Sequence, residues 1–316
     1  MRIKTLDESS EAAMSFMQTQ RTHVETGLYV KRYPDVDYME NIFVDTSAPD
    51  WAAIIAADSM DARGELAFLG PNSNDMNVVE VGYGRANKNI HTSALGYRYS
   101  IVEINEARYA RRNLTQDRAA AVIKIVEQGL NKLAYVGNGA AKMEGLFNTT
   151  GVPTSTATGT LASLIAGATD IAGAQAIVTF FQNGINKVYV DQTNTTFSPT
   201  DIFLPTPQYL ALASAILPFG GNMTLLQYLE ANLVTGGNSR VSISPNINLK
   251  GTGASNKDRM VIYTKDNNIV KFHLPMPFRF LNIRNDSITS FIVPGMLRTG
   301  GTDIRVKNSM HYVDGV

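Results

Sequence analysis

Hydrophobic residues recur with a helical period over one long stretch, NLTQDRAAAVIKIVEQGLNKLAYVGN, which starts at Asn113. Ala119, Val122, Ile123, Val126, Leu130, Leu133 and Ala134 keep that period, and Lys124, Gln128, Asn131 and Lys132 fall largely between them. Asn113 suits the N-cap, and Gln116 stands three positions on, the spacing of a capping box. Gly137 supplies the left-handed residue that ends such a helix. At about 1.5 Å per residue, Leu114 to Val136 spans roughly 35 Å. Gly129 inside it costs about 1 kcal/mol relative to alanine, which points to something packing closely there. An ordinary core helix shows the same periodicity.

Upstream the pattern changes to alternation. In NVVEVGYGR, Val79, Val81 and Tyr83 share a face, and in IHTSALGYRYSIVEIN, Leu95, Tyr97, Tyr99 and Ile101 do the same. Ala86-Asn87-Lys88-Asn89 between them is turn-like, so the pattern predicts a long β-hairpin over about 75–104. A hairpin of that reach cannot readily bury both faces on one domain. It is expected to project and lie on a neighbour, the other reading being an internal hairpin of a sheet. Residues 1–50 read as an N-terminal arm, with a helix over Glu8–Gln20 and then mixed text broken by Pro34 and Pro49. Its scattered aromatics, among them Tyr29 and Phe43, suit a segment lying across its own domain or another subunit.

Downstream, Asp170 caps a helix through IAGAQAIVTFFQNGINK, and KVYV reads as a strand. Ile202-Phe203-Leu204 is a short strand, and Gln208–Ile216 and Thr224–Asn232 are helices, the second capped by Thr224 or Asn222. Alternating strands and helices over 150–258 predict an α/β domain, with LVTGGNSRVSISP as a mobile loop. Residues 259–316 are β-rich. RMVIYTKDNNIVKFHL reads as a hairpin turning at Lys265-Asp266-Asn267-Asn268, followed by RFLNI, SFIVPG and a last strand, DIRVKNSMHYV. These strands need the long helix to cover one face. The fold class is therefore α+β, in which the chain leaves the helix, builds an inserted domain and returns.

Composition narrows the function. Charged residues are 18%, below the usual quarter, which fits a surface covered by neighbours and also fits many monomers. The formal net charge is zero, so the basic footprint of a sequence-specific nucleic-acid binder is missing. The chain has no cysteine, which excludes disulfides, thiol chemistry and cysteine metal sites. The start, MRIKTLDESSEAAMSF, has no apolar core of a signal peptide, and no apolar run reaches membrane-spanning length, so a soluble protein with no membrane partner is expected. His23, His91, His273 and His311 are widely spaced and read as surface or hydrogen-bonded residues. Gly82-Tyr83-Gly84-Arg85 lacks the third glycine of a dinucleotide loop, and Walker A and G-x-S-x-G sequences are absent. No catalytic, cofactor-binding or metal-ligating residue is assigned.

The order of arm, hairpin, long helix, Gly145-Leu146-Phe147-Asn148 turn, α/β insertion and closing β-segment resembles the major capsid protein of tailed bacteriophages, a fold shared with encapsulin shells. The 145–148 turn stands where that family often has a Gly-Leu-Leu-Asn-like sequence. LPTPQYLAL, from Leu204 to Leu212, resembles family text entering a helix of the axial domain. The resemblance implies a structural, non-enzymatic protein that self-assembles as pentamers and hexamers into an icosahedral shell around double-stranded DNA. It implies an arm (1–50), an extended loop with its base (51–107), a peripheral domain (108–149 and 259–316) with the spine helix over 113–136, and an axial domain (150–258). Candidate subunit-interface residues are Tyr29, Phe43, Tyr83, Lys88, Tyr97, Tyr99 and Arg298. Arg108, Arg111 and Arg112 are candidates for DNA or intersubunit contact, or for an ordinary solvated face. Implied partners are copies of the chain, a portal protein, packaged DNA held non-specifically, and decoration proteins. An arm beginning almost at Met1 implies a separate scaffold, or none. The implied location is the virion, assembled in the host cytoplasm. Lys88 is the hairpin's only lysine and the one candidate for an isopeptide bond to Asn282 or Asn285, which its polar position at the expected tip disfavours. An encapsulin-like cellular compartment and a soluble α/β enzyme are the rival readings.

Overall fold

A computed structural model describes residues 35–66, 68, 77–109, 114–217, 223–236 and 240–316. In chain order these form α1 (Tyr38–Asn41), β1 (Phe43–Asp45), β2 (Ile54–Arg63), β3 (Glu80–Asn89), β4 (His91–Ala94), β5 (Tyr97–Ser100), α2 (Ile101–Tyr109) and α3 (Leu114–Val136). There follow β6 (Gly137–Asn138), β7 (Met143–Glu144), β8 (Thr154–Thr156), α4 (Leu161–Ala166), α5 (Ile171–Asn186), β9 (Asp201–Pro205), α6 (Thr206–Ser214), α7 (Leu225–Asn232) and β10 (Ser242–Asn246). The closing segment supplies β11 (Arg259–Tyr263), β12 (Val270–His273), β13 (Met276–Phe280), β14 (Arg284–Ser287), β15 (Ser290–Val293), β16 (Gly295–Thr299), β17 (Gly301–Ile304) and β18 (Met310–Asp314).

The periodic stretch forms α3, and Val122, Val126, Leu130 and Ala134 are its buried stripe. The expected capping box at Asn113 and Gln116 involves positions outside the described residues and side chains. At the other end Gly137 has φ +75°, and a Cβ there would lie 2.3 Å from the Met143 carbonyl oxygen, so only glycine fits. The Gly145–Asn148 turn then folds back on the last helical turn. Leu146 N–H donates to Ala134 O and Phe147 N–H to Tyr135 O, while Asn148 Nδ2 donates to Val136 O at 2.6 Å. Three carbonyls left open by the helix end are thereby satisfied. Leu146 and Phe147 are fully buried, which explains the apolar pair between the glycine and the asparagine.

The central sheet has the order β10–β9–β11–β18–β8. Its two faces carry two different cores, because side chains alternate along each strand. Phe203, Val261 and Tyr263 join the core under α3, whereas Ile202, Leu204, Met260 and Ile262 join the core under the inserted helices. On the α3 side Tyr135 stacks on Phe147 at 4.8 Å and Phe203 on Tyr263 at 5.5 Å, with edge contacts joining the two pairs. The sheet thus unites strands of the insertion with strands of the closing segment. Arg259 and Asp314 pin the junction. They form a bidentate pair at 2.6 and 2.9 Å, and Arg259 also donates to Phe147 O at 2.8 Å.

The insertion follows its sequence closely. Asp170 accepts from Gly173 N–H at 2.8 Å to start α5, and Thr224 with Gln227 closes a reciprocal capping box at α7. KVYV is not a strand, however. Lys187–Gln192 continues α5 as a π-helical turn, so the β-branched valines are overridden by the helix before them. The segment read as a mobile loop contains β10, which pairs with β9 in parallel.

Four further expectations are corrected. The hairpin is formed by β2 and β3, paired from Ile54↔Asn89 to Arg63↔Glu80, so its ladder spans 54–89 and not 75–104. Ala86–Asn89, read as a turn, is strand, and Ile101–Tyr109 is helix. The strand after it leaves to pair elsewhere, β4 with β16 and β5 with β15. RMVIY and VKFH flank a real turn at Asp266 but belong to different sheets, β11 with β9 and β18, β12 with β1 and β17. The last strand is two, β17 and β18, separated by a 3₁₀ turn at Lys307–Ser309. Of the expected arm, Glu8–Gln20 lies outside the described residues. The part from Val36 onward belongs to the same compact unit as the rest of the described chain, with Tyr38 and Ile42 buried and β1 paired with β12.

Candidate assembly surfaces

The β2–β3 ribbon is an antiparallel ladder with no third strand and almost no covering. Cross-strand partners share a face. One face carries the Asp58–Arg85 ion pair, at 2.6 and 3.1 Å, then Met60 opposite Tyr83 and Ala62 opposite Val81. The other carries Ala57–Ala86, Ser59–Gly84 and Asp61–Gly82, a strip of mostly small residues, and then Arg63 opposite Glu80. Tyr83 is 80% exposed, and towards the far end Leu66 is 85% and Phe68 96% exposed. Apolar area displayed on a thin ribbon is unfavourable in water by about 25 cal/mol per Å² relative to being covered.

The ribbon's base is held firmly. Lys88, expected at a tip, sits there half-buried, and its Nζ donates to Thr302 O at 2.7 Å. Thr302 Oγ1 in turn donates to Ala134 O on α3, so the ribbon is tied through β17 to the spine. Arg298 is buried at the same base. It donates to Asp50 O at 2.7 Å and to Thr92 Oγ1 at 3.2 Å, and its guanidinium lies 5.4 Å from the Trp51 ring. Tyr97 and Tyr99 pack edge-on at 5.1 Å, Tyr97 against Phe280 and Tyr99 under Arg118. Phe43 is half-exposed, with Lys271 Nζ 5.7 Å from its ring. Arg108 is exposed on α2 beside an exposed Tyr109. Tyr29, Arg111 and Arg112 lie outside the described residues. Of the candidate interface set, then, Phe43 and Tyr83 face solvent, while Lys88, Tyr97, Tyr99 and Arg298 are engaged inside the chain.

Two histidines sit in polar clusters that sequence spacing does not show. His273 is 1% exposed, with Asp303 Oδ2 3.4 Å from Nε2 and Asp45 Oδ2 3.7 Å from Nδ1. Burial raises the Asp303 pKa, but the His273 hydrogen bond and the charges of Lys88, His273 and Arg305 outweigh it and hold it below the usual range. Asp45 is likewise held low, its burial offset by Ser47 hydrogen bonds and by Lys271 and His273. His311 contacts Ser155 Oγ and Gln192 at 2.8 Å each, and burial, then Lys187, lowers its pKa to about 4. Each cluster joins residues far apart in sequence, so no local motif announces it. Among the described residues there is no group of acids and histidines that could hold a metal, and no helix long and apolar enough to cross a membrane.

The chain as a whole matches known proteins. A family model described as "Major capsid protein" matches residues 64–316, well over half of the chain. The chain belongs to the major capsid protein family. Among solved structures, this capsid protein is similar to the capsid of Myoviridae phage XM1, with a TM-score of 0.80 at 17% identity over 94% of this chain and 98% of that one. It is similar to a chain of Mycobacterium phage Ogopogo, TM-score 0.62 at 13% identity over 95% and 99%. It also resembles the capsid of a native GTA particle, TM-score 0.64 at 10% identity over 96% and 98%. At such identities the likeness is one of fold, the tailed-phage major capsid fold that the order of elements suggested. No curated protein matches the sequence.

Proposed function

We propose that this capsid protein assembles as pentamers and hexamers into a closed icosahedral shell that encloses double-stranded DNA. The observation that carries the reading is the ribbon. A chain of this family holds out apolar residues on a ladder that its own body does not cover, and head-to-tail contacts that close are what turn one chain into a ring. Each contact is modest, but a subunit makes several at once and avidity multiplies them. In this reading the β2–β3 ribbon (54–89) reaches a neighbour, 108–149 with 259–316 is the peripheral domain, and 150–258 clusters around the symmetry axes. Tyr29, Phe43 and Tyr83 contact neighbours directly. Lys88, Tyr97, Tyr99 and Arg298 set the direction in which the ribbon leaves the body. Arg108, Arg111 and Arg112 meet DNA or a neighbouring subunit. The role is structural, in a virion assembled in the host cytoplasm with a portal protein and decoration proteins as partners.

Expression of the full chain, followed by negative-stain microscopy and a nuclease-protection assay, tests this. Shells or rings that shield DNA are the expected result. A monodisperse small monomer under every condition tried would sink the proposal, and shells filled with protein in place of nucleic acid would turn it towards a cellular compartment.

A further inference from the structure

His273 is 1% exposed and has a carboxylate on each side of its ring. Nε2 is 3.4 Å from Asp303 Oδ2, within hydrogen-bond reach. Nδ1 is 3.7 Å from Asp45 Oδ2, just outside it, and has no hydrogen-bond partner among the described residues. A neutral imidazole has one donor nitrogen and one acceptor, whereas an imidazolium has two donors. An ionised carboxylate only accepts. Both carboxyls are held below the usual range, so both stay ionised wherever a histidine titrates. A neutral ring therefore sets a bare nitrogen against one of them, and burial keeps water from supplying the missing donor. Only the doubly protonated ring can bond both.

The other charged groups around the ring come from several strands. Lys271, on β12 itself, has Nζ 3.5 Å from Asp45 Oδ2. Arg305, just after β17, has Nε 3.8 Å from Asp303 Oδ2, and the charge of Lys88 on β3 also acts on Asp303. His91 on β4 pairs with Thr299, whose hydroxyl donates to the His273 carbonyl. The lysines and the arginine attend the carboxylates and leave Nδ1 without a partner.

The place of the cluster gives it a use. Asp45 ends β1, and the chain then runs through Asp50 and Trp51 into the ribbon at Ile54. β1 is a three-residue edge strand paired with β12 alone, so a side-chain tie at its end counts. Asp303 follows Thr302, whose carbonyl holds Lys88 where the ribbon returns. The return passes close by, since a Cβ on Gly300 would lie 3.2 Å from His273 Cβ and 3.7 Å from Asn89 O.

We propose that His273 is a proton-controlled clasp at the root of the ribbon. With both ring nitrogens protonated it donates to Asp45 and Asp303 together, and so ties the segment entering the ribbon to the strand that anchors the segment leaving it. Loss of one proton releases Asp45 and loosens the angle at which the ribbon leaves the body. The clasp is closed in mildly acidic solution and opens as the pH rises through the range of histidine. It belongs to the single subunit and operates whether or not shells form.

The absence of cysteine makes a direct test simple. Spin labels on Tyr83→Cys in the ribbon and Lys265→Cys on the body, both exposed positions, report the distance between them by double electron–electron resonance. In the unassembled chain the distance distribution should be narrow at about pH 5.5 and broaden at about pH 8. His273→Gln should be broad at both. Asp45→Asn should be narrow at both, because its amide can donate to a bare Nδ1 while Nε2–H keeps Asp303. Equal widths at the two pH values in the labelled parent, or broadening that survives in Asp45→Asn, would overturn the proposal, and Asp45→Asn decides if His273→Gln does not fold. Nitrogen NMR of the histidine-labelled chain should show both His273 nitrogens protonated at about pH 5.5, and a bare nitrogen at that pH would also overturn it.

Discussion

The five-stranded sheet and the β2–β3 ribbon are both extended chain, finished in opposite ways. In the sheet, β11 is covered on both faces, Val261 and Tyr263 by one core and Met260 and Ile262 by the other. In the ribbon neither face is covered, and its stability comes from the ladder and its anchored base. An isolated two-stranded ribbon is marginal in water. Here the clamps at Lys88 and Arg298 supply what a third strand would otherwise give. The lesson is a division of labour, in which the sheet holds the subunit together and the ribbon keeps its apolar surface uncovered.

That division can be tested where it should be strongest. Phe203→Ala removes the ring linking the Tyr135–Phe147 and Tyr263 stacks and should cost about 3–5 kcal/mol in urea denaturation of the unassembled chain. A loss below about 1 kcal/mol would mean that the sheet is not the stabilising centre. Asp314→Asn leaves the Arg259 guanidinium buried without its carboxylate and should cost about 3 kcal/mol by the same measurement. An unchanged midpoint would remove the ion pair from the account.

His311 sharpens the comparison through pH. Its pKa falls from 6.5 to about 4 on folding. The unfolded chain therefore binds more protons between those values. Stability from this group is intact above about pH 6.5 and declines as the pH drops towards 4, by up to about 3 kcal/mol. Melting temperatures at about pH 7 and pH 5 should converge in His311→Gln relative to wild type. An equal drop in both chains would assign the slope to other groups. The smallest effect on folding is expected in the ribbon. Tyr83→Ser should leave monomer stability within about 0.5 kcal/mol while particle yield falls. A large loss of monomer stability would show that the ribbon is part of the subunit's own core.

What the sequence revealed, and what it hid, follows the same division. The spine was legible because one face is buried and the other is wet, so the period survives in Val122, Val126 and Leu130. Asp170 and Thr224 were legible because caps are local chemistry. The ribbon's partner was not. IIAADSMDAR has no buried face to impose alternation, so nothing in it fixed a register, and the apolar alternation of Tyr97 and Tyr99, which serves other contacts, was paired with β3 instead. The separation of β11 from β12 was hidden for a different reason. A good turn at Asp266 reads as a hairpin, while the true partners of β11 lie roughly 50 to 60 residues away in sequence, beyond any local rule. Of the candidate contacts, Tyr83 and Phe43 face outward, but aromatic character alone did not separate them from Tyr97 and Tyr99, which pack inside. Gly129, read as the mark of a close contact, has none, since a Cβ there would meet no atom within 4 Å.

The position of β18 also sets an order in time. The last of the described strands in chain order lies inside the sheet, between β11 and β8, and pairs Tyr312 with Thr154. Long-range pairings of this kind form slowly, whereas the ribbon pairs segments that are near in sequence and can form once residue 89 is out. A nascent chain thus carries the ribbon before the central sheet can close. Chains growing side by side on one message therefore display their ribbons before the sheets that complete their bodies have closed.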